Sequence, residues 1–309
     1  DVYFWADNTD GNRTMLTGGK IVENQWNQVC FVFDTGKREI YINGAKTAGD
    51  TFTAEPIRYN FIGETNSLGY LGSIDEVRIY DYARTPAQIA WDYNRGKPIS
   101  HWTFDEGTGT TAHDLGEGEN HGTITGATWK DESECKNGKC LSFDGIDDYL
   151  QAGANPILGS TPFSISGWIK AGTHSSYGLA FMVGNASNAQ AAWLGWVQTA
   201  NFGTSNSIGG GFYGRNYGTG IADNDWHHLI LTFSGGTSGT VNIYVDGENK
   251  VTDTFTPNLT SASVFMGKAN TGTSYLYNGL LDEPKIFNYA LTNEQVQLEY
   301  NNSSAVNFR

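Results

Sequence analysis

Three groups of residues in this chain have the types and spacing that could do chemistry. The first is Cys135-Lys-Asn-Gly-Lys-Cys140. Asn137-Gly138 is the favoured two-residue turn of a β-hairpin, which makes Lys136 and Lys139 the flanking hydrogen-bonded pair. Cys135 and Cys140 then oppose each other at the next, non-hydrogen-bonded pair, where side chains approach most closely. That placement predicts a disulfide and an oxidising compartment. The alternatives are a reduced pair or a metal site, and a metal would need two more Cys or His nearby, which the sequence does not supply. The third cysteine, Cys30, lies in Val29-Cys-Phe-Val-Phe33 and reads as a small buried apolar residue.

The second group is acidic. In a strand through Leu281-Asp-Glu-Pro-Lys-Ile286, alternation predicts Asp282, Pro284 and Ile286 on one face and Glu283, Lys285 and Phe287 on the other. A carboxylate on the core side is costly unless amides or a cation satisfy it. The loop Asp114-Leu-Gly-Glu-Gly-Glu-Asn120-His-Gly122 offers what a hard cation uses, carboxylate and amide oxygens with glycines that can turn carbonyls inward. The competing reading has Asp282 capping a turn and Asp114 in solvent.

The third group is aromatic and runs from Trp193 to Tyr217, with Trp193, Trp196, Tyr213, Arg215, Asn216 and Tyr217 as candidate ligand-binding residues. Sugar sites combine aromatic platforms with nearby amides and carboxylates. Strand alternation sets Trp193 and Trp196 on opposite faces, so one is expected inside and the other exposed. Tyr275 and Tyr277 alternate with Leu276 in a Gly- and Ser-rich loop and read as a rim. Trp168 and Trp226 read as core.

The elements that must position these groups are strands. The 309 residues include 39 Gly and 7 Pro, are 13% aromatic and only 17% charged, which suits short strands joined by many turns. About ten strands are expected after residue 98, among them 99–104, 163–169, 194–198, 228–233, 241–245 and 279–287, enough for two packed sheets. Two short helices interrupt them: Thr85-Pro-Ala-Gln88 and Thr292-Asn-Glu-Gln295 both spell a capping box. Ile89 with Tyr93, and Val296 with Tyr300, then share one helix face.

The chain also repeats itself. Ile74-Asp-Glu76 matches Leu281-Asp-Glu283, Arg78-Ile-Tyr80 matches Lys285-Ile-Phe287, and FIGETN (61–66) matches FMGKAN (265–270). EIYING (39–44) matches NIYVDG (242–247), and Trp26 matches Trp226. A period near 200 residues suits tandem domains. Residues 1–97 therefore correspond to the second half of a domain that is complete in 98–309, and the chain is expected to begin inside a domain. The first copy has no counterpart of the opening strands, so it is expected to need complementing strands from an upstream segment or a neighbouring chain.

In WTFDEGTGTTAHD (102–114), KCLSFDGIDDYL (139–150), FSISGWIK (163–170), DWHHLILTF (225–233), IYVDG (243–247) and LLDEPKIFNYALTNEQV (281–296), the chain resembles bacterial laminin G-like domains of the concanavalin A-like superfamily. The resemblance covers nearly all of 98–309 and, through the repeat, 1–97. It implies an all-β, antiparallel two-sheet jelly-roll β-sandwich in an extracellular or cell-surface multidomain protein. It also implies carbohydrate or protein binding, often with structural calcium. Neighbouring first and last strands would let Asp114, Asn120 and Asp282 converge on that ion. Glycosidases of the superfamily carry paired carboxylates as E-x-D-x-x-E, a spacing missing here. His227-His228 could do acid–base work, yet the first copy has Asn27-Gln28 in their place. No G-x-S-x-G, HExxH or CxxC pattern occurs.

With 33 acidic against 19 basic residues, the net charge of −14 disfavours nucleic acid and anionic lipid. No apolar run reaches the roughly 18 residues of a membrane span. The expected function is a non-catalytic binding module for a glycan or a cell-surface protein. The alternatives are a structural spacer or protein-contact module of a surface array and, less favoured by the motifs, a polysaccharide-active enzyme.

Overall fold

The computed structural model describes residues 1–7, 13–34, 36–51, 64–65, 68–69, 71–94, 96–116, 118–272 and 275–301. Of the repeat segments above, Phe61, Ile62, Gly63 and Asn66 lie outside the described residues. The chain forms two compact units, Asp1–Gly96 and Lys97–Arg309.

The first unit contains β1 (Tyr3–Asp7), β2 (Arg13–Thr17), β3 (Val29–Asp34), β4 (Lys37–Ile42), β5 (Ala45–Thr51), β6 (Glu64–Thr65), β7 (Leu68–Gly69) and α1 (Pro86–Asn94). β1 pairs with β2, β6 with β7, and β3-β4-β5 form a meander. The expected capping box opens α1: Gln88 N–H donates to Thr85 Oγ1 at 3.3 Å and Thr85 N–H to Gln88 Oε1 at 3.0 Å. The helix then sets Ile89 against Val32 and Tyr41, with Cys30 beside them. Burial pushes the Cys30 thiol up. Arg38 is buried, forks onto Asp50 at 2.8 and 2.9 Å, and donates to the Phe4 and Thr14 carbonyls, tying the β1-β2 hairpin to the meander.

The second unit opens with β8 (Ser100–His101), β9 (Thr111–Ala112), β10 (Gly122–Thr125), β11 (Thr128–Lys130), β12 (Cys140–Asp144) and β13 (Tyr149–Ala154). It continues through β14 (Phe163–Ala171), β15 (Gly178–Gly184), β16 (Ala191–Val197), β17 (Phe202–Thr204), β18 (Ser207–Phe212) and β19 (Arg215–Thr219). It closes with β20 (His227–Phe233), β21 (Gly239–Val245), β22 (Glu248–Phe255), β23 (Ser263–Met266), β24 (Asn278–Phe287) and α2 (Asn293–Tyr300). One sheet runs β17-β19-β18-β16-β15-β23-β13-β10-β9, and the other β11-β12-β24-β14-β20-β21-β22 with β8 also on β24.

Alternate residues of the two sheets meet in one core. Ile165, Leu229, Leu231, Leu281 and Ile286 come from one side, and Phe181, Val183, Leu194, Phe212 and Met266 from the other. This is the two-sheet sandwich expected, antiparallel except where β17 runs parallel to β19. Thr292 and Gln295 cap α2 reciprocally, and the helix buries Val296 and lays Tyr300 against Trp168 at 5.6 Å.

Two strand expectations differ from the structure. The 99–104 strand shrinks to Ser100–His101 plus a bridge from Trp102 to Asp114, because Phe104 turns into the left-handed region at φ 60°. Of two strands not anticipated, β15 carries no polar–apolar alternation, and β22 alternates only from Val251 to Phe255. Every residue of β15 is buried, and β22 is a polar strand at the sheet edge.

Candidate functional site

Along β16 the side chains part: Ala192 and Leu194 enter the central core, while Ala191, Trp193 and Val197 join Leu179, Met182 and Ala269 in a second cluster on the outward face. Register carries this face across the sheet, from Phe265 to Met182 to Trp193 to Gly211 to Asn216. Gly211 adds no side chain to the row. A Cβ there would lie 2.2 Å from the Arg215 carbonyl oxygen, so no other residue fits.

Three half-buried tyrosines stand around Trp193. Tyr177 meets Trp193 edge-on at 6.2 Å and Tyr275 at 5.7 Å, and Tyr213 meets Tyr275 at 6.0 Å. Edge-to-face contact sets positive ring edges on negative faces. The Tyr213 hydroxyl donates to Tyr275 at 3.4 Å, and that bond, with burial, pushes the Tyr213 phenol up to about 12. The Asn216 amide donates to the Tyr177 hydroxyl at 3.2 Å, which itself donates to the Thr199 carbonyl at 2.7 Å. In the adjoining loops, Asn270 donates to Asn185 at 3.0 Å. Tyr275 holds φ 60°, a costly conformation for a bulky residue, fixed by its ring partners and by the Leu179 N–H donated to its carbonyl at 2.9 Å. The half-buried phenols and side-chain amides on this face are the residue types that sugar sites combine.

Of the expected ligand-binding residues, Trp193, Tyr213, Asn216 and Tyr275 share this face. Trp193 is its floor, 2% exposed, because the loop tyrosines cover it. Trp196, Arg215, Tyr217 and Tyr277 do not belong there. Trp196 turns inward and stacks on His174 at 5.4 Å. Tyr217 is buried and donates to Asp253 at 2.9 Å, while Arg215 pairs with the same carboxylate at 2.6 Å and lies over Phe202 at 4.4 Å. Tyr277 is buried between Phe143 and His174. Tyr177, Asn185 and Asn270 were not anticipated. Tyr177 stands in a Ser/Gly loop, and nothing local ties it to positions 213 and 275.

Cys135 and Cys140 form a disulfide, with Cα atoms 5.5 Å apart. The hairpin expected around it is absent. β11 pairs with β12 from Lys130 opposite Cys140, so Cys135 sits within a longer loop, and Gly138 has positive φ while Asn137 does not. That loop grips Asp282: Lys136 N–H and Asn137 N–H donate to its Oδ2 at 3.1 and 2.8 Å. Lys136 also rests its ammonium 4.1 Å from the Trp168 ring centre.

The core-side placement expected of Asp282 is wrong. Ser166 pairs with Lys285 and Trp168 with Asp282, leaving Glu283 and Pro284 together opposite Gly167. Glu283 takes φ 52° in this bulge. The extra residue shifts parity, so Leu281 and Ile286 both face the core and Asp282 faces away, under the disulfide loop. Its Oδ1 is buried with no partner of hydrogen-bond geometry, and burial pushes the carboxyl up to about 7.

Asp114 and Asn120 do come together. Asp114 Oδ1 accepts His101 N–H and Gly116 N–H at 2.7 and 2.8 Å, and Oδ2 accepts Asn120 N–H at 3.0 Å. Calcium takes six to eight oxygens. The groups around Asp114 and Asp282 are N–H donors, so Asp114, Asn120 and Asp282 do not fit that ion. The oxygen-rich turn is elsewhere, at Asp144, Asp147 and Asp148, whose carboxylates lie within 4.8 Å of one another. Burial, joined by repulsion from Asp144 and Asp147, holds the Asp148 carboxyl above its usual range.

The two histidines are split by strand alternation. His227 is clamped by Asp246 at 2.7 Å and Asp223 at 2.8 Å, which raises it to about 9. His228 is buried against Trp168 and Tyr300 and driven down to about 3 by desolvation.

The model of the Laminin_G_3 family, described as the concanavalin A-like lectin/glucanases superfamily, matches residues 1–90 and 144–297. No curated protein sequence matches the chain significantly. Among solved structures, domain 4 of AbnA, a GH43 extracellular arabinanase from Geobacillus stearothermophilus in complex with arabinotriose, is 24% identical with a TM-score of 0.49 over 65% of this chain and 97% of that one. The binding domain of botulinum neurotoxin serotype D is 13% identical with a TM-score of 0.47, over 67% of this chain and 52% of that one. The binding domain of Paraclostridial Mosquitocidal Protein 1 is 13% identical with a TM-score of 0.43, over 66% and 51%. Among the described residues no helix is long and apolar enough to cross a membrane.

Proposed function

This chain belongs to the laminin G-like family of the concanavalin A-like superfamily, and we propose that its second unit is a non-catalytic carbohydrate-binding module working outside the cell or at its surface. The observation that carries this reading is the ring of Tyr177, Tyr213 and Tyr275 over Trp193, with Asn216 beside it, on the outward face of the nine-stranded sheet. Aromatic rings and neutral amides suit an uncharged sugar. Glycoside hydrolysis needs two carboxyls roughly 5 to 9 Å apart. The hydrogen-bond and ring partners of these tyrosines, among the described residues, are hydroxyls, amides, carbonyls and other rings. The disulfide supports an oxidising environment.

The test is a glycan array probed with the full chain, followed by titration of any hit. Tyr213→Ala and Tyr275→Ala should each weaken binding about tenfold, and no reducing ends should be released. Binding unchanged in both variants would move the site elsewhere. No binding to any glycan would favour a spacer, and turnover an enzyme.

A further inference from the structure

The sheet face that carries Trp193 continues past the tyrosines. Paired residues of antiparallel strands share a face, and the row Trp193, Met182, Phe265, Gln151 crosses from β16 through β15 and β23 to β13 in register. That crossing spans about 14 Å. At its far end Tyr149 and Phe265 stand with ring centres 6.4 Å apart. The Lys268 ammonium rests 3.7 Å from the Tyr149 centre and 5.7 Å from that of Phe265. Beside them the exposed Gln151 amide donates to Ser263 Oγ at 3.2 Å. Tyr149, Ser263 and Lys268 are each half-buried, so the patch presents an aromatic ring, an ammonium, an amide and a hydroxyl together.

One loop joins this patch to the tyrosines. Lys268 covers Tyr149, Ala269 packs into the Trp193 cluster, and Asn270 donates to Asn185 and accepts the Ala186 N–H. An ammonium over a ring still has N–H groups to donate. Negative charge stands close to it. Asp148, the last of the acidic turn Asp144, Asp147, Asp148, directly precedes Tyr149, and a Cβ on Gly267 would lie 2.8 Å from its carbonyl oxygen. That turn offsets the ammonium and disfavours an anionic ligand.

We propose that Tyr149, Gln151 and Lys268 form a second subsite, and that the ligand is a neutral oligosaccharide chain lying across the strands. The inference rests on the carbohydrate reading of the Trp193 face. Tyr149 supplies apolar contact, and Lys268 and Gln151 donate to hydroxyls. A face about 14 Å long is longer than one sugar ring, so internal stretches of a polysaccharide fit it better than a single terminal sugar.

The experiment titrates the full chain by calorimetry with neutral gluco-, xylo-, manno- and galacto-oligosaccharides, from disaccharide to hexasaccharide, beside the glycan array. Affinity of the native chain should rise with oligosaccharide length. Tyr149→Ala and Lys268→Met should each weaken the hexasaccharide about tenfold and leave the disaccharide unchanged, which also shows that the variants are folded. Tyr213→Ala should weaken every length. Native affinity independent of length, hexasaccharide binding that both variants keep, or an equal loss at every length would overturn the second subsite and leave the carbohydrate reading standing. Binding of no series and no array glycan would overturn that reading and this inference with it.

Discussion

Replacing Asp282 by asparagine should make the second unit more stable at pH 8 relative to pH 5, against the native chain. The Asp282 carboxyl is fully buried, accepts two backbone N–H groups on one oxygen and titrates near pH 7. A carboxyl whose folded pKa lies above its unfolded value holds its proton more tightly when folded. Its contribution to stability is therefore complete below about pH 4 and is lost as pH rises through about 7. Between those values the loss is about 1.4 kcal/mol per pH unit, so the native chain should lose about 2–3 kcal/mol from pH 5 to pH 8 through this group. Asparagine offers the same acceptor to Lys136 and Asn137 and does not titrate. The neighbouring groups Glu283, Lys136, His228 and Lys285 are common to both proteins, and their own pH dependence cancels in the difference. The assay is urea unfolding of both proteins at four pH values, with tryptophan fluorescence as the signal. A variant-minus-native difference that grows by about 2–3 kcal/mol, or roughly 5–10 °C in melting temperature, is expected. Parallel pH profiles would refute the claim that Asp282 is a buried carboxyl without a compensating charge.

Alkylation of the unfolded, unreduced chain should label one thiol, Cys30, and the double variant Cys135→Ser/Cys140→Ser should lose about 2 kcal/mol in urea unfolding, the loop-closure value for so short a bridge; three labelled thiols would disprove it. Any difference in melting temperature between millimolar calcium and chelator should survive Asp282→Asn unchanged, since N–H donors surround that carboxylate; a calcium shift abolished by this variant would return the ion to Asp282. His227→Asn should remove a stabilisation that is full below about pH 6.5 and lost as pH rises through 9, screened to about 1 kcal/mol because Asp223 is half exposed. Native and variant curves that fail to converge above pH 9 would rule that out.

Much of the candidate site was written into local sequence. Alternation separated Trp193 from Trp196, Tyr213 stood out in the aromatic run 193–217, and Tyr275 as a loop aromatic. What was not legible is their meeting, since Tyr177, Trp193, Tyr213 and Tyr275 are joined by sheet register and loop return, which no local pattern encodes. The misplacement of Trp196, Tyr217 and Tyr277 has one cause: an aromatic residue looks the same in sequence whether its ring lines a core or a surface. Asp282 failed for a different reason. One left-handed residue, Glu283, inverts the faces of every residue beyond it, and the type of that residue does not announce it.

The sequence by itself determined the features whose causes lie within a few residues: the period-two strands, the Thr-x-x-Gln caps of both helices and the repeat that aligns the two units. Tertiary structure decided the rest, and the repeat isolates its share. Ile74-Asp-Glu-Val-Arg-Ile-Tyr80 and Leu281-Asp-Glu-Pro-Lys-Ile-Phe287 are close in type, yet the second forms part of β24 and the first forms no strand. A helix closes its hydrogen bonds within itself, so α1 and α2 both form. A strand must find its partners elsewhere: β12 and β14 flank β24, while among the described residues no strand pairs with residues 74–80.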